Sequence, residues 1–380
     1  MQFSNITGQE EIKKQLIGTV HDNRVSHAQL FAGPVGSGGL ALAIAYAQFL
    51  NCLDKQLADS CGQCSNCRKY EKYIHPDLHF SYPFYAKQKV DTATNFVQEW
   101  RELLLRNPFP SFDDWREAND VDNKQANINI AEAHDIIKKL SLKAYEAEYK
   151  VLIMWLPEYL NKEGNALLKL IEEPPAKTLF ILVSENTDGI LNTILSRTQL
   201  VKVRPFRQEE IVSYLQKHYE LEGRENEIAL MSEGNLSLAR HLAEERGEPF
   251  FELMVQWLRF IVTDSGKSLI SYCEERLARL GRENQKSFLR YTLQLMRAVV
   301  LTRAGVPHLQ PLPPEQEAFV SKFAEIYQIK QVNNMINLVE QAIYHIERNS
   351  NAKLLFLDLS LQLVLVYKYN TFRVNADSII

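Results

Sequence analysis

The stretch GPVGSGGLAL, Gly33 to Leu42, decides how the chain is read. It follows a short apolar run, AQLFAG (Ala28–Gly33), and leads into a small-residue segment, Leu40–Leu50, expected to be helical. Strand, glycine-rich turn and helix form the layout of a phosphate-binding loop, whose full pattern is G-x-x-x-x-G-K-[ST]. Gly33 and Gly38 hold the required spacing, but Gly39 stands at the lysine position and Leu40 at the Ser/Thr position. Taken alone, such a turn is also what an ordinary tight strand-to-helix junction looks like.

A second segment bears on the same question. In P-loop ATPases a later strand ends in acids that hold magnesium and prepare water. The matching strand is KVLIMWLPE (Lys150–Glu158), with Trp155 and Leu156 where two acids are expected. With the lysine, the hydroxyl and both acids missing, metal-assisted phosphoryl transfer loses nearly all of its charge stabilisation. The backbone amides around Gly33, Gly36, Gly38 and Gly39 still suit an anion. No hydrolysis is expected, and ATP is not expected to bind productively.

Working outward, the first 200 residues alternate helix-like and strand-like segments. A helix over Gln9–Val20 precedes the first strand. Val151–Leu156, Thr178–Val183 and QLVKV, ending near Val203, read as further strands, with a helix over Asn165–Glu173. Short, continuously apolar strands alternating with helices predict a parallel sheet covered on both faces. Residues 81–127 break this rhythm with YPFYAKQ and NPFPSFDDW, an insertion whose two Trp and several Phe argue against disorder. Pro205 marks a boundary. Short helices are expected over Arg207–Glu245, with a turn at Gly234-Asn235. Beyond residues 246–249 the chain reads as wholly helical, with three- and four-residue apolar spacing over Phe250–Val262, Lys286–Arg303, Gln331–Arg348 and Ala352–Tyr369.

The chain has 380 residues and a net charge of −4, so no global charge drives it toward nucleic acid. The first residues lack the apolar core of a signal peptide. The most apolar window, Leu354–Tyr367, is too short to span a membrane and carries Asp358 and Gln362. A cytoplasmic protein with no membrane partner is the expectation.

Four of the five cysteines lie in NCLDKQLADSCGQCSNC as Cys52, Cys61, Cys64 and Cys67. Two-residue gaps let successive thiolates face one ion, and a four-thiolate set is a closed, structural zinc site. A small polar loop has little apolar area, so the metal would supply much of its ordering energy. Two disulfides, a C-x-x-C redox pair and an iron–sulfur cluster are the alternatives. His75 and His79 compete with Cys52 as fourth ligand. Cys273 stands alone in a helical stretch and reads as core.

With these pieces in place the sequence resembles the delta-prime family of bacterial DNA polymerase III clamp-loader subunits, of the AAA+ class and related to gamma/tau. The resemblance is carried by SHAQLFAGPVGSGG (Ser26–Gly39), the four cysteines after the loop helix, NALLKLIEEPP (Asn165–Pro175) and ILNTILSRTQ (Ile190–Gln199). It covers the first 245 residues well; the helical remainder, including NAKLLFLDLSLQL (Asn351–Leu363), fits by length and type. It implies an α/β P-loop NTPase-like AAA+ core over 1–204, with a zinc module at 52–67 and the insertion at about 81–127. A helical lid over 205–246 and an all-α collar over 247–380 would follow. It implies a subunit that does not use ATP itself and works with gamma/tau and delta subunits to load a sliding clamp on primed DNA. In the family's Ser-Arg-Cys motif the arginine reaches the ATP of a neighbouring subunit. Here the motif reads Ser196-Arg197-Thr198, which makes Arg197 a trans-acting arginine finger. Ser237 stands where AAA+ ATPases carry a nucleotide-sensing lid arginine, with Arg240 one turn further on. The alternative is an active gamma/tau-type ATPase subunit.

Overall fold

The computed structural model describes residues 1–119, 125–221, 223–244, 250–263, 266–306, 312–348 and 350–369. Five strands form one parallel sheet: β1 (Ala28–Ala32), β2 (Leu78–Ser81), β3 (Lys150–Trp155), β4 (Thr178–Ser184) and β5 (Gln199–Lys202). Their order across the sheet is β2-β3-β4-β1-β5. Parallel neighbours need crossovers that cover both faces, so the central strands must be apolar throughout. Every residue of β3 and β4 is buried. In register, Leu30 of β1 lies between Leu182 of β4 and Leu200 of β5.

The crossovers and flanks supply α1 (Glu10–His21), α2 (Gly39–Leu50), α3 (Ser65–Glu71), α4 (Val97–Arg106), α5 (Phe112–Ala118), α6 (Ile130–Ser141), α7 (Leu168–Glu172) and α8 (Asn192–Leu195). Then come α9 (Gln208–His218), α10 (Glu225–Met231) and α11 (Leu236–Glu244). Helix α2 is buried along its length, as its alanine and aliphatic content requires. Ala133, Ile136 and Leu140 of α6 join Leu152, Met154, Phe180 and Leu182 in one core cluster. The end of α6 is closed by Lys150, only 3% exposed, whose Nζ donates to the carbonyls of Lys139, Leu140 and Leu142. A cation at a helix C-terminus satisfies carbonyls that the helix cannot.

Two stretches differ from the sequence expectation. Strand β2 pairs in parallel with β3 at the edge of the sheet; LHFS, with His79 inside it, is too short and mixed to announce a strand. The expected helix over Asn165–Glu173 is a 3-10 stretch, Pro157–Leu167, followed by the short α7. Asn161 breaks it at φ 49°, ψ −135°.

The chain divides into two compact units, Met1–Tyr219 with Ser232–Leu242, and Glu220–Met231 with Ala243–Ile380. Helices α9 and α11 thus belong with the sheet, and α10 with the second unit. Residues 246–249, where the sequence places a boundary, lie outside the described residues. The second unit adds α12 (Phe250–Thr263), α13 (Lys267–Tyr272), a π-helical turn Cys273–Leu277, α14 (Arg282–Arg303), α15 (Pro314–Ile326), α16 (Ile329–Glu347) and α17 (Ala352–Tyr369). Helix α14 packs on α15 and α16, and α16 on α17. In its core the indole N–H of Trp257 donates to Ser360 Oγ at 2.8 Å, and Cys273 Sγ lies 3.2 Å from the same hydroxyl. Cys273 is a buried core residue, as expected.

Candidate functional site

The carboxyl ends of parallel strands are where α/β sheets place their ligands, and the glycine loop sits there, between β1 and α2. Gly36 and Gly38 take φ of 71° and 84°, a region open to glycine at little cost. The cradle is full. A Cβ on Gly38 would lie 3.0 Å from Phe206 Cζ, and one on Gly36 would collide with the Asn235 side chain. The cavity left over the loop is about 20 Å³, room for one water. Phe109, Pro110 and Trp155 line it, with Val183, Ser184 and Glu185 from the end of β4.

The segment between β2 and α6, which the sequence set apart without a role, supplies most of this cover. Trp155, at one missing-acid position, lies 5.2 Å from Trp100 of α4, and Trp115 of α5 stands edge-on to Trp100 at 5.4 Å. Tyr82 stacks on Trp100 at 4.2 Å. All three indoles are buried. Phe109 meets Phe206 and Tyr214 edge-on. From the other side Leu236 donates its N–H to Gly36 O at 3.1 Å.

One acid, Glu185, lines the cavity from a position the motif does not predict, with Glu158 behind it. Glu158 accepts from the backbone N–H of Glu185 and Asn186 at 3.1 and 3.2 Å. Burial, then the Glu158 and Asp113 carboxylates, push Glu185 up to about 7. Burial likewise raises Glu158. A cavity lined by a carboxylate rather than a lysine is a poor host for phosphate. Ser237, 1% exposed, donates to Asp114 Oδ2 at 3.2 Å, and Arg240 Nε donates to the Tyr219 hydroxyl at 3.3 Å. Neither lines the cavity.

Helix α2 delivers Cys52 directly from the loop. The four sulfurs of Cys52, Cys61, Cys64 and Cys67 lie within 4.8 Å of one another, and none is in a disulfide. Zn–S bonds of about 2.3 Å place tetrahedral sulfurs about 3.8 Å apart; Cys61 and Cys67 are at 3.9 Å. Backbone N–H groups point at the sulfurs: Cys61 at Cys52 (3.2 Å), Cys64 at Cys61 (3.3 Å) and Cys67 at Cys64 (3.4 Å). Such donors favour thiolate over thiol. At Cys64 burial opposes ionisation, but hydrogen bonds from Leu53, Cys67 and Cys61 outweigh it and bring the thiol to about 7. Burial raises Cys52 and Cys67. The residues fit a four-thiolate metal site. Among the described residues the histidines are not part of the group: His75 stacks near Tyr70 and its Nδ1 accepts from Asp77 N, while His79 is a β2 residue.

Arg197 follows α8. Its guanidinium pairs with Glu172, and Nη1 donates to Thr193 O at 2.8 Å and Ser196 Oγ at 3.3 Å. Thr198 Oγ1 donates to Leu195 O at 3.1 Å. The side chain is 34% exposed and does not line the cavity over its own loop.

Residues 8–207 match the family described as DNA polymerase III, delta subunit. The chain belongs to this family. This family member is 25% identical over 272 residues to DNA polymerase III subunit delta' of Bacillus subtilis, covering 66% of this chain and 70% of that one. It is 29% identical over 215 residues to subunit tau/gamma of Haemophilus influenzae, covering 56% of this chain and 25% of that one. It thus spans only a quarter of that longer relative. A gamma-subunit-related structure from Thermotoga maritima aligns over 92% of this chain and 97% of that one at 13% identity, with a TM-score of 0.35.

Within this family member, sequence reasoning missed Phe109, Asp114 and Glu185. The only available signal was the pairing of an unusual Trp155 with an aromatic-rich insertion elsewhere in the chain.

Proposed function

We propose that the chain is a non-catalytic, delta-prime-type subunit of a DNA polymerase III clamp loader. The observation that carries this is the filled cradle: a phosphate-loop backbone with no lysine, no Ser/Thr and no magnesium acids, and with space for about one water. ATP does not bind there productively. In this reading the AAA+ core spans 1–204, the lid 205–246 and a helical collar 247–380 packs with sister subunits. The partners are gamma/tau and delta subunits, and through them the sliding clamp and primed DNA. The subunit acts in the cytoplasm and adds no chemistry of its own to the polymerase holoenzyme.

Arg197, flanked by Ser196 and Thr198, is the point of coupling. Its guanidinium is held at the surface by Glu172, an exposed pair of little intrinsic strength that a neighbour's phosphate would outcompete. Cys52, Cys61, Cys64 and Cys67 hold a structural Zn2+, which ties the 52–67 loop to the end of α2 and leaves no open coordination position.

The deciding experiment is the DNA- and clamp-stimulated ATPase rate of a reconstituted loader containing Arg197→Ala. A loss of about 10³-fold or more with assembly intact is expected; an unchanged rate removes the finger assignment. The active gamma/tau-type reading draws on the 29% identity to the Haemophilus subunit. Magnesium-dependent ATP binding by the isolated wild-type chain would favour it.

A further inference from the structure

Helix α5 begins where Phe109 and Pro110 leave the cavity. Ser111 caps it, and Asp114 closes the capping box: its carboxylate accepts from Ser111 N at 2.6 Å and Ser111 Oγ at 2.7 Å. The same carboxylate, about 9% exposed, reaches across to α11. Ser237 Oγ donates to it at 3.2 Å and His241 Nε2 lies 3.0 Å from Oδ1. Burial alone would raise the Asp114 pKa, but His241 and Ser111 overcome it and hold the carboxyl well below the usual range. At neutral pH a buried anion therefore faces α11 at Ser237 in its first turn and His241 in its last. That helix is in turn hydrogen-bonded to the glycine loop through Leu236 and Gly36.

This arrangement has the parts of a bound ligand. A flat apolar group, the Phe109 ring, lies against the space over Gly36–Gly39. A carboxylate anion is met by donors from the helix that follows the Gly234-Asn235 turn. We infer that the 107–118 segment is a built-in stand-in for nucleotide. Phe109 and Pro110 fill the space, and Asp114 replaces phosphate as the anionic partner of α11. The loop and α11 are thereby held in one arrangement with no ligand present. The inference rests on reading Gly33–Leu40 as the remnant of a nucleotide loop and goes further. Loss of the lysine alone did not close the site, and restoring it would not reopen it.

Two measurements on the full chain test this, and neither involves other subunits, so they stand or fall apart from the Arg197 assay. The first is hydrogen exchange at the amides of α11 in Asp114→Asn and in the double variant Ser237→Ala/His241→Ala. The double variant leaves the α5 cap untouched. Exchange over 236–242 should rise about tenfold or more while Thr178–Ser184 stays as slow as wild type. Unchanged protection of α11 in both variants overturns the anion role.

The second measurement is magnesium-ATP binding by Gly39→Lys/Leu40→Thr with and without Phe109→Ala, each checked for a wild-type far-UV spectrum. The double variant should fail to bind at about 1 mM ATP, and the triple variant should bind with Kd below that. Binding by the double variant with Phe109 in place overturns the plug. So does a folded triple variant that still binds nothing.

Discussion

Helix α2 joins two motifs with opposite fates. At its N-terminus the glycine loop has the spacing of a phosphate loop, with Gly39 and Leu40 where that motif carries lysine and Ser/Thr. Just past its C-terminus the cysteine loop keeps a full ligand set and buries little else. In the first, packing has replaced chemistry: Phe109, Trp155, Phe206 and Asn235 occupy the cradle. In the second, chemistry stands in for packing, since Leu53 and Leu57 of that loop are exposed and its order rests on four sulfurs and a few polar ties such as Asn66 to Asn51 O. A loop's backbone shape and its side-chain chemistry are separable, and each draws on its own source of stability.

The largest effect is expected at the cysteine loop. Stripping zinc should remove on the order of 10 kcal/mol of ordering energy from the cysteine loop, and Cys64→Ala a large part of it, read as loss of the bound equivalent of metal and a lower Tm. A chain that melts unchanged after chelation would make the cysteine loop self-sufficient. At the loop end, Trp100→Ala should cost about 3–5 kcal/mol in denaturant unfolding, because it opens a cavity among Tyr82, Trp115 and Trp155.

The acid at the cradle gives a smaller effect with a definite sign. Glu185 is raised from 4.5 to about 7 in the folded state. Between those values the folded chain holds more protons than the unfolded chain, so stability falls as pH rises through the window. Glu185→Gln should therefore stabilise by on the order of 2 kcal/mol at about pH 8 and change little at about pH 4. A flat pH response would mean the carboxylate is well solvated, and the reverse trend that nearby cations or N–H donors hold it ionised. Arg197→Ala should move unfolding free energy by under about 0.5 kcal/mol, since its ion pair is exposed. Its effect belongs in the loader assay, and a large loss of stability would recast the residue as structural.

The sheet was legible where strands are buried on both faces. β1, β3 and β4 stood out as short apolar runs, while β5, an edge strand exposed at three of its four residues, showed only through the flanking QLVKV. β2 did not, because an edge strand of four residues containing His79 has no pattern to detect. The cysteine set was legible because thiolate spacing is local. The exclusion of His75 was not, since it depends on Tyr70 and the Asp77 amide. The empty motif at Gly39 and Leu40 could be read directly, but what fills the cradle could not. Phe109 and Asp114 meet Phe206, Ser237 and His241 across about a hundred residues of chain, and such contacts leave no periodic trace.

The aromatic cluster has an optical consequence. Three of the chain's four tryptophans, Trp100, Trp115 and Trp155, are in ring contact at 5.2–5.4 Å, and the fourth, Trp257, lies in the other unit. Indoles this close share excitation and couple in the near-ultraviolet. Any movement of the 107–118 segment away from the end of β3 would change emission and circular dichroism together. The protein thus carries an unlabelled gauge of how the 107–118 segment sits over the glycine loop.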